Sequence, residues 1–290
     1  MLLVALIWGS AFVAQAHGME GLGPFAFTGI RFLIGACVVA PLALRDWRAL
    51  ERRGARTGRE VAQSVAGIGV LLTLGAVLQQ IGMTATTVTH AGVLTALYVP
   101  LVPLFSWLIT RVRPHASVWP ASLGCFVGTW MLSGGGSLAI GVGDAWVIAS
   151  SFFWALHVIF VGRVADRLAA PFLLACGQFL ICGLSCIVWA AFAETISWEG
   201  VRIAALPILY TGVLSVGVAY TGQVVAQRYA AAADAAIILS AETVFAAFFG
   251  AILMGDRLSV IGWAGGALIF ACIVAVQLAP LSARRAKAVA

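Results

Sequence analysis

Lysine is all but missing: Lys287 is the only one of the chain's 17 basic residues that is not arginine. No GxxxxGK[ST] loop exists, which removes nucleotide hydrolysis by that route. No lysine lies inside an apolar run, so a Schiff-base pigment is excluded as well. Charge of either sign is scarce, at 10% of 290 residues, where a soluble domain carries about a quarter. HExxH and GxSxG are both absent, and with them the usual signatures of a membrane-embedded hydrolase. The six cysteines, at 37, 125, 176, 182, 186 and 272, all fall in apolar runs without metal-ligand or disulfide spacing. Cys182 and Cys186 share a helix face as small packing residues. The chain reads as neither enzyme nor metalloprotein, and needs no cofactor.

What fills the space is apolar. Hydrophobic residues make up 62% of the chain, and the mean hydropathy is +1.04. The apolar runs are continuous rather than alternating, which excludes a membrane barrel and leaves helices. At about 20 residues per span the length accommodates ten. The predicted spans are 2–17, 24–44, 61–83, 88–109, 117–133, 144–161, 171–192, 201–226, 230–254 and 258–278. The first lacks the basic start and cleavage site of a signal peptide. Pro100 and Pro103 should kink the fourth in mid-membrane.

The stretch Ala230–Gly255 orders the rest. A shift of 144 residues lays it on Thr86–Arg111, with Tyr98 in the place of Glu242. The same shift pairs Gln79 with Gln223, Phe105 with Phe249 and Arg113 with Arg257, and the hydrophobic blocks coincide. The fold class is therefore all-α integral membrane: ten transmembrane helices as two inverted five-helix repeats. The first repeat spans 1–137, the second 144–278, and a basic tail covers 279–290. Five crossings are an odd number, so the second copy enters the bilayer from the opposite side and a site forms between the halves.

Arginine sets the orientation. With the N-terminus inside, fourteen basic residues face the cytoplasm, six of them in Arg45–Glu60, and only Arg202 and Arg257 face out. Both termini are then cytoplasmic. These charges sit at helix ends and not in an aromatic-laced stripe, so nucleic acid is no partner. The bilayer and a small-molecule substrate are.

LIWGSAFV near the start, TGIRFLIGA around Arg31, AGVLTALYVPLVPL in the fourth span and LMGDRLSVIGWAGGALIFACIV near the end resemble the EamA family of the drug/metabolite transporter superfamily. Within it, the YddG-type exporters of aromatic amino acids are the nearest suggestion. The resemblance covers nearly the whole chain. It implies a ten-helix exporter of small metabolites, often amino acids, in a bacterial inner membrane and without ATP hydrolysis. Departures are Thr243–Val244, where the family more often has proline, the Asp256–Ser259 stretch, and Gln178 in place of a second Arg31.

A site for a zwitterion needs an acid for the ammonium, a partner for the carboxylate and a wall for the side chain. Glu242 is the only carboxyl group well inside an apolar span, and such groups usually face a cavity. It holds an ammonium, carries a proton in proton-coupled transport, or is a neutral acid bonded to a neighbouring helix. Tyr98, Trp8, Phe12 and Trp154 are candidate wall residues, with ordinary packing as the alternative. Gln79, Gln223, Tyr220 and His157 complete the substrate-binding set, against interhelical hydrogen bonding or a bonded core histidine. Arg31 reads first as a structural latch and second as a carboxylate clamp. GxxxG spacings at 124/128 and 262/266 pack the two repeats together or pair protomers, so monomer and homodimer both stay open. The expected function is secondary active export by alternating access through a central cavity, with amino acids first among the substrates. A sugar-phosphate, nucleotide-sugar or drug carrier on the same scaffold is the alternative. A channel or an intramembrane enzyme ranks below that.

Overall fold

A computed structural model describes residues 1–53, 58–135, 140–253 and 259–289. Arg56, the expected first-repeat boundary at 137 and the stretch 256–258, Arg257 included, lie outside them.

Apolar runs of span length become helices because a bilayer offers the backbone no other hydrogen-bond partner. Among the described residues, eight helical spans are long and apolar enough to cross a membrane, and the shorter apolar helices Leu2–Gly18 and Val118–Leu132 bring the total to ten. In chain order they are α1 (Leu2–Gly18), α2 (Pro24–Arg53), α3 (Gly58–Met83), α4 (Val88–Thr95) with α5 (Tyr98–Thr110), α6 (Val118–Leu132), α7 (Val142–Leu168) and α8 (Pro171–Ala193). The eighth span joins α9 (Trp198–Tyr210), a π-helical stretch Thr211–Tyr220 and α10 (Thr221–Ala226). The ninth is α11 (Ala232–Leu239) with α12 (Ala241–Leu253), and α13 (Val260–Val289) is the tenth. Phe192 is 84% exposed, Leu206 77% and Val260 86%, surface that only lipid tolerates at this density.

Two spans break, and they are repeat mates. α4 runs 88–95 and α11 runs 232–239, the same 144-residue shift that the sequence shows. The first break falls at Ala96–Leu97, one turn before Pro100, whose missing N–H and bulky ring leave the Ala96 carbonyl without its helical partner. The second break has no proline. There the Ser240 hydroxyl donates to the Ile237 carbonyl at 2.6 Å, and the Thr243 hydroxyl donates to the Ser240 carbonyl at 2.9 Å. Hydroxyls that compete for helix carbonyls do in the second repeat what proline does in the first.

The repeats interlock rather than stand side by side. α1 packs against α12, while α2 lies antiparallel along α8, α3 along α7, and α6 along α13. In the last pair Gly128 and Gly265 meet backbone to backbone, and Gly124 sits on the Cys272 sulfur. Gly266 has only ordinary contacts. Between the repeats these small residues therefore let helices approach, with Gly265 in the role expected of Gly266.

Candidate functional site

The helix breaks put the first turns of α5 and α12 at mid-bundle, and a small cavity lies between them. Its wall comes from both repeats: Trp8, Phe12 and Gln15 of α1, Arg31 of α2, Gln79 of α3, Thr95 and Tyr98 flanking the first break, and Trp154 and Val158 of α7. The eighth span adds Ser215, Tyr220 and Gln223, and the second break adds Leu239 and Glu242. Its free volume is about 60 Å³, room for a few waters and well under the ~300 Å³ of an ordinary ligand pocket.

Glu242 is the second residue of α12, where the partial positive charge of a helix N-terminus favours a carboxylate. It is 7% exposed and has neither a hydrogen bond nor a paired cation among the described residues. Gly9 sets its position. A Cβ added there would lie 2.7 Å from the Glu242 carbonyl oxygen and 2.6 Å from Phe245 Cβ, so α1 and α12 touch at backbone distance. That contact brings Trp8 beside the acid.

Arg31 lines the same cavity. Its Nη1 donates to Gln15 Oε1 at 2.6 Å, and its Nη2 lies 3.5 Å from Gln80 Oε1. The guanidinium also packs over Phe27 and Phe32, at 5.4 and 5.3 Å from the ring centroids. No carboxylate pairs with it among the described residues. Arg31 is thus tied down, as a latch is, and also part of the wall.

Tyr220, the last residue of the π stretch, is the hub of the aromatic wall. Its ring centroid lies 4.5 Å from that of Trp8, 5.7 Å from that of Phe32 and 6.1 Å, stacked, from that of Trp154. π-helical segments often mark functional sites because they re-aim carbonyls. Here Trp8 Nε1 donates to the Ser215 carbonyl at 3.2 Å. Trp154 rests on Gly75, where a Cβ would come within 3.0 Å of the ring. Arg31 Nε, the Trp154 indole nitrogen and the Gln223 side-chain oxygen are buried without partners, two donors and one acceptor left over in the wall. Gln79 donates to the Thr95 hydroxyl at 2.9 Å.

Eight of the nine sequence candidates line this one cavity: Trp8, Phe12, Gln79, Tyr98, Trp154, Tyr220, Gln223 and Glu242. His157 does not. It is fully buried behind Trp154, with Nε2 hydrogen-bonded to Gln178 Oε1 at 2.8 Å. Gln178, which stands where a second Arg31 was expected, is therefore occupied in the core. Sequence reasoning passed over Gln15, Thr95, Val158, Ser215 and Leu239. Gln15 carried a signal, being one turn beyond Phe12 on the face of Trp8. Thr95 and Leu239 are repeat mates at the ends of α4 and α11.

Residues 1–134 and 141–277 each match the model of the EamA-like transporter family. A protein of Archaeoglobus fulgidus described as an uncharacterized transporter is 30% identical over 276 residues, covering 95% of this chain and 84% of the relative. YedA of Escherichia coli, described as an uncharacterized inner membrane transporter, is 27% identical over 93% of this chain and 87% of its own. YwfM of Bacillus subtilis, also described as an uncharacterized transporter, is 25% identical over 99% and 96%. A protein of known crystal structure superposes with a TM-score of 0.74 at 18% identity, over 97% of this chain and 98% of that one. That likeness shows a shared fold and nothing finer.

Proposed function

The chain belongs to the EamA-like transporter family, and from that premise we propose that it exports small amphipathic metabolites, amino acids first, by alternating access. One observation carries the reading. The cavity holds a buried guanidinium, Arg31, and a buried acid, Glu242, neither of them paired with an opposite charge among the described residues. An unpaired guanidinium away from water is unfavourable by several kcal/mol. A zwitterion supplies its carboxylate to Arg31 and its ammonium to Glu242, which gives up its proton to receive it. The aromatic wall of Trp8, Tyr220 and Trp154 then receives an apolar or aromatic side chain, stacking on it as rings do.

Release follows from the inverted repeats. The half-helix starts at Tyr98 and Glu242 are equivalent under the repeat, so rocking one five-helix unit against the other opens the cavity to one side at a time. Glu242 alternates between the substrate ammonium and a proton, which couples export to the proton gradient. Both termini then face the cytoplasm, a placement the arginine bias supports. A phosphate-bearing substrate fits less well, because Arg31 is the only cation lining the cavity among the described residues.

Flux from proteoliposomes tests the proposal. Labelled phenylalanine or another neutral amino acid should leave loaded vesicles saturably, faster with an imposed proton gradient. Equal leak from protein-free and protein-containing vesicles, across a panel of amino acids, overturns it.

A further inference from the structure

A second cavity lies outside the transport site. α3 and α7, one from each repeat, touch closely where Gly75 meets Trp154 and where Gly82 meets Val147. Towards their arginine-bearing ends they diverge and leave a groove of about 590 Å³. Its wall is largely apolar, with Ile68 and Leu71 on α3 and Phe160 and Val164 on α7.

Two arginines stand in the groove, and their situations differ. Arg167 is engaged, with Nη2 donating to the Ser64 hydroxyl at 2.7 Å and Nη1 lying 3.8 Å from Glu60 Oε1. Arg163 packs against the Phe160 ring at 5.8 Å and has no acid or hydrogen-bond acceptor among the described residues. An added Cβ at Gly67 would meet nothing within 4 Å, so the groove is open on that side. On the same face of α3, Val70 is 51% and Leu74 38% exposed, which continues the apolar wall onto the membrane-facing flank.

We propose that this groove holds an anionic phospholipid, its phosphate on Arg163 and one acyl chain against Leu71, Phe160 and the flank of α3. A soluble anion would use the guanidinium and leave the apolar wall uncovered; a lipid uses both. Basic pockets between spans at the cytoplasmic surface suit such headgroups. Because the groove bridges the repeats, an occupied groove ties α3 to α7 below their glycine contact. The proposal does not depend on what the central cavity carries.

Thermal unfolding of the full chain in neutral detergent tests it. Added phosphatidylglycerol should raise the midpoint by about 2 °C or more, while phosphatidylcholine and inorganic phosphate leave it unchanged. Arg163→Met should weaken the phosphatidylglycerol dependence about fivefold, the contribution of one basic residue near a lipid surface. Gly67→Leu should remove it by filling the groove with the charge intact. Equal shifts with phosphatidylcholine, or with phosphate alone, overturn the lipid assignment. So does a full phosphatidylglycerol shift in Gly67→Leu, whether or not Arg163→Met folds.

Discussion

Asp46 and Glu194 cap each other's helices from opposite ends of one antiparallel pair. Asp46, late in α2, accepts from the Phe172 and Leu173 amides of α8 at 2.8 and 3.2 Å. Glu194, which closes α8, accepts from the Phe25 and Ala26 amides of α2 at 2.8 Å each. Both amide pairs follow a proline that opens the span, Pro24 or Pro171. It is one contact made twice, as two inverted copies require. Each carboxylate satisfies amides that a helix start leaves unpaired.

Asp46→Asn and Glu194→Gln should therefore each lower stability by about 1 kcal/mol. In a melt that is roughly 2–4 °C. The two lie at opposite ends of the pair, so the double variant should show the sum. A double variant as stable as wild type would mean that the caps stabilise nothing.

Glu242→Gln should slow export about tenfold or more while the protein stays folded, since a charged hydrogen bond to substrate amounts to about 1.5–3 kcal/mol. Trp154→Ala should also slow export, most for aromatic substrates. Initial rates at equal reconstituted protein, with unfolding midpoints alongside, read both. Wild-type rates in both variants would clear these residues of a role in transport.

Gly9→Ala should destabilise by about 1–3 kcal/mol, because its Cβ meets the α12 backbone and something must shift. Gly92→Ala is the control, as an added Cβ there finds open space. A melt that ranks the two the other way would contradict the close approach of α1 and α12.

Val244→Pro should be far milder than the ~3 kcal/mol of a mid-helix proline. The Ser240 carbonyl is already engaged by the Thr243 amide at 3.2 Å and hydroxyl at 2.9 Å. Phe248→Pro, one turn further into α12, should carry the full penalty. Equal loss of folded protein in both would show that the second break is not equivalent to the first.

The spans and the repeat were legible because a bilayer leaves so few solutions for continuous apolar runs, and because equivalent residues recur at a fixed shift. The first break was readable from Pro100. The second was not, since Ser240 and Thr243 look like ordinary helix residues until their hydroxyls find carbonyls. The π stretch ending at Tyr220 left no mark in the pattern, because widening a helix by one residue per turn changes no composition. Glu242 was conspicuous as a lone buried acid. The double part played by Arg31 was hidden, because it depends on Gln15 and Gln80 arriving from two other helices.

The claim that the two repeats enclose a site that faces each side in turn is tested most directly by a single cysteine at Thr95, with the six native cysteines replaced. Membrane-impermeant thiol reagents are applied from either face of oriented vesicles. The account predicts reaction from both faces, with substrate changing the two rates in opposite directions. Reaction from one face only, under every substrate and gradient condition, would contradict it.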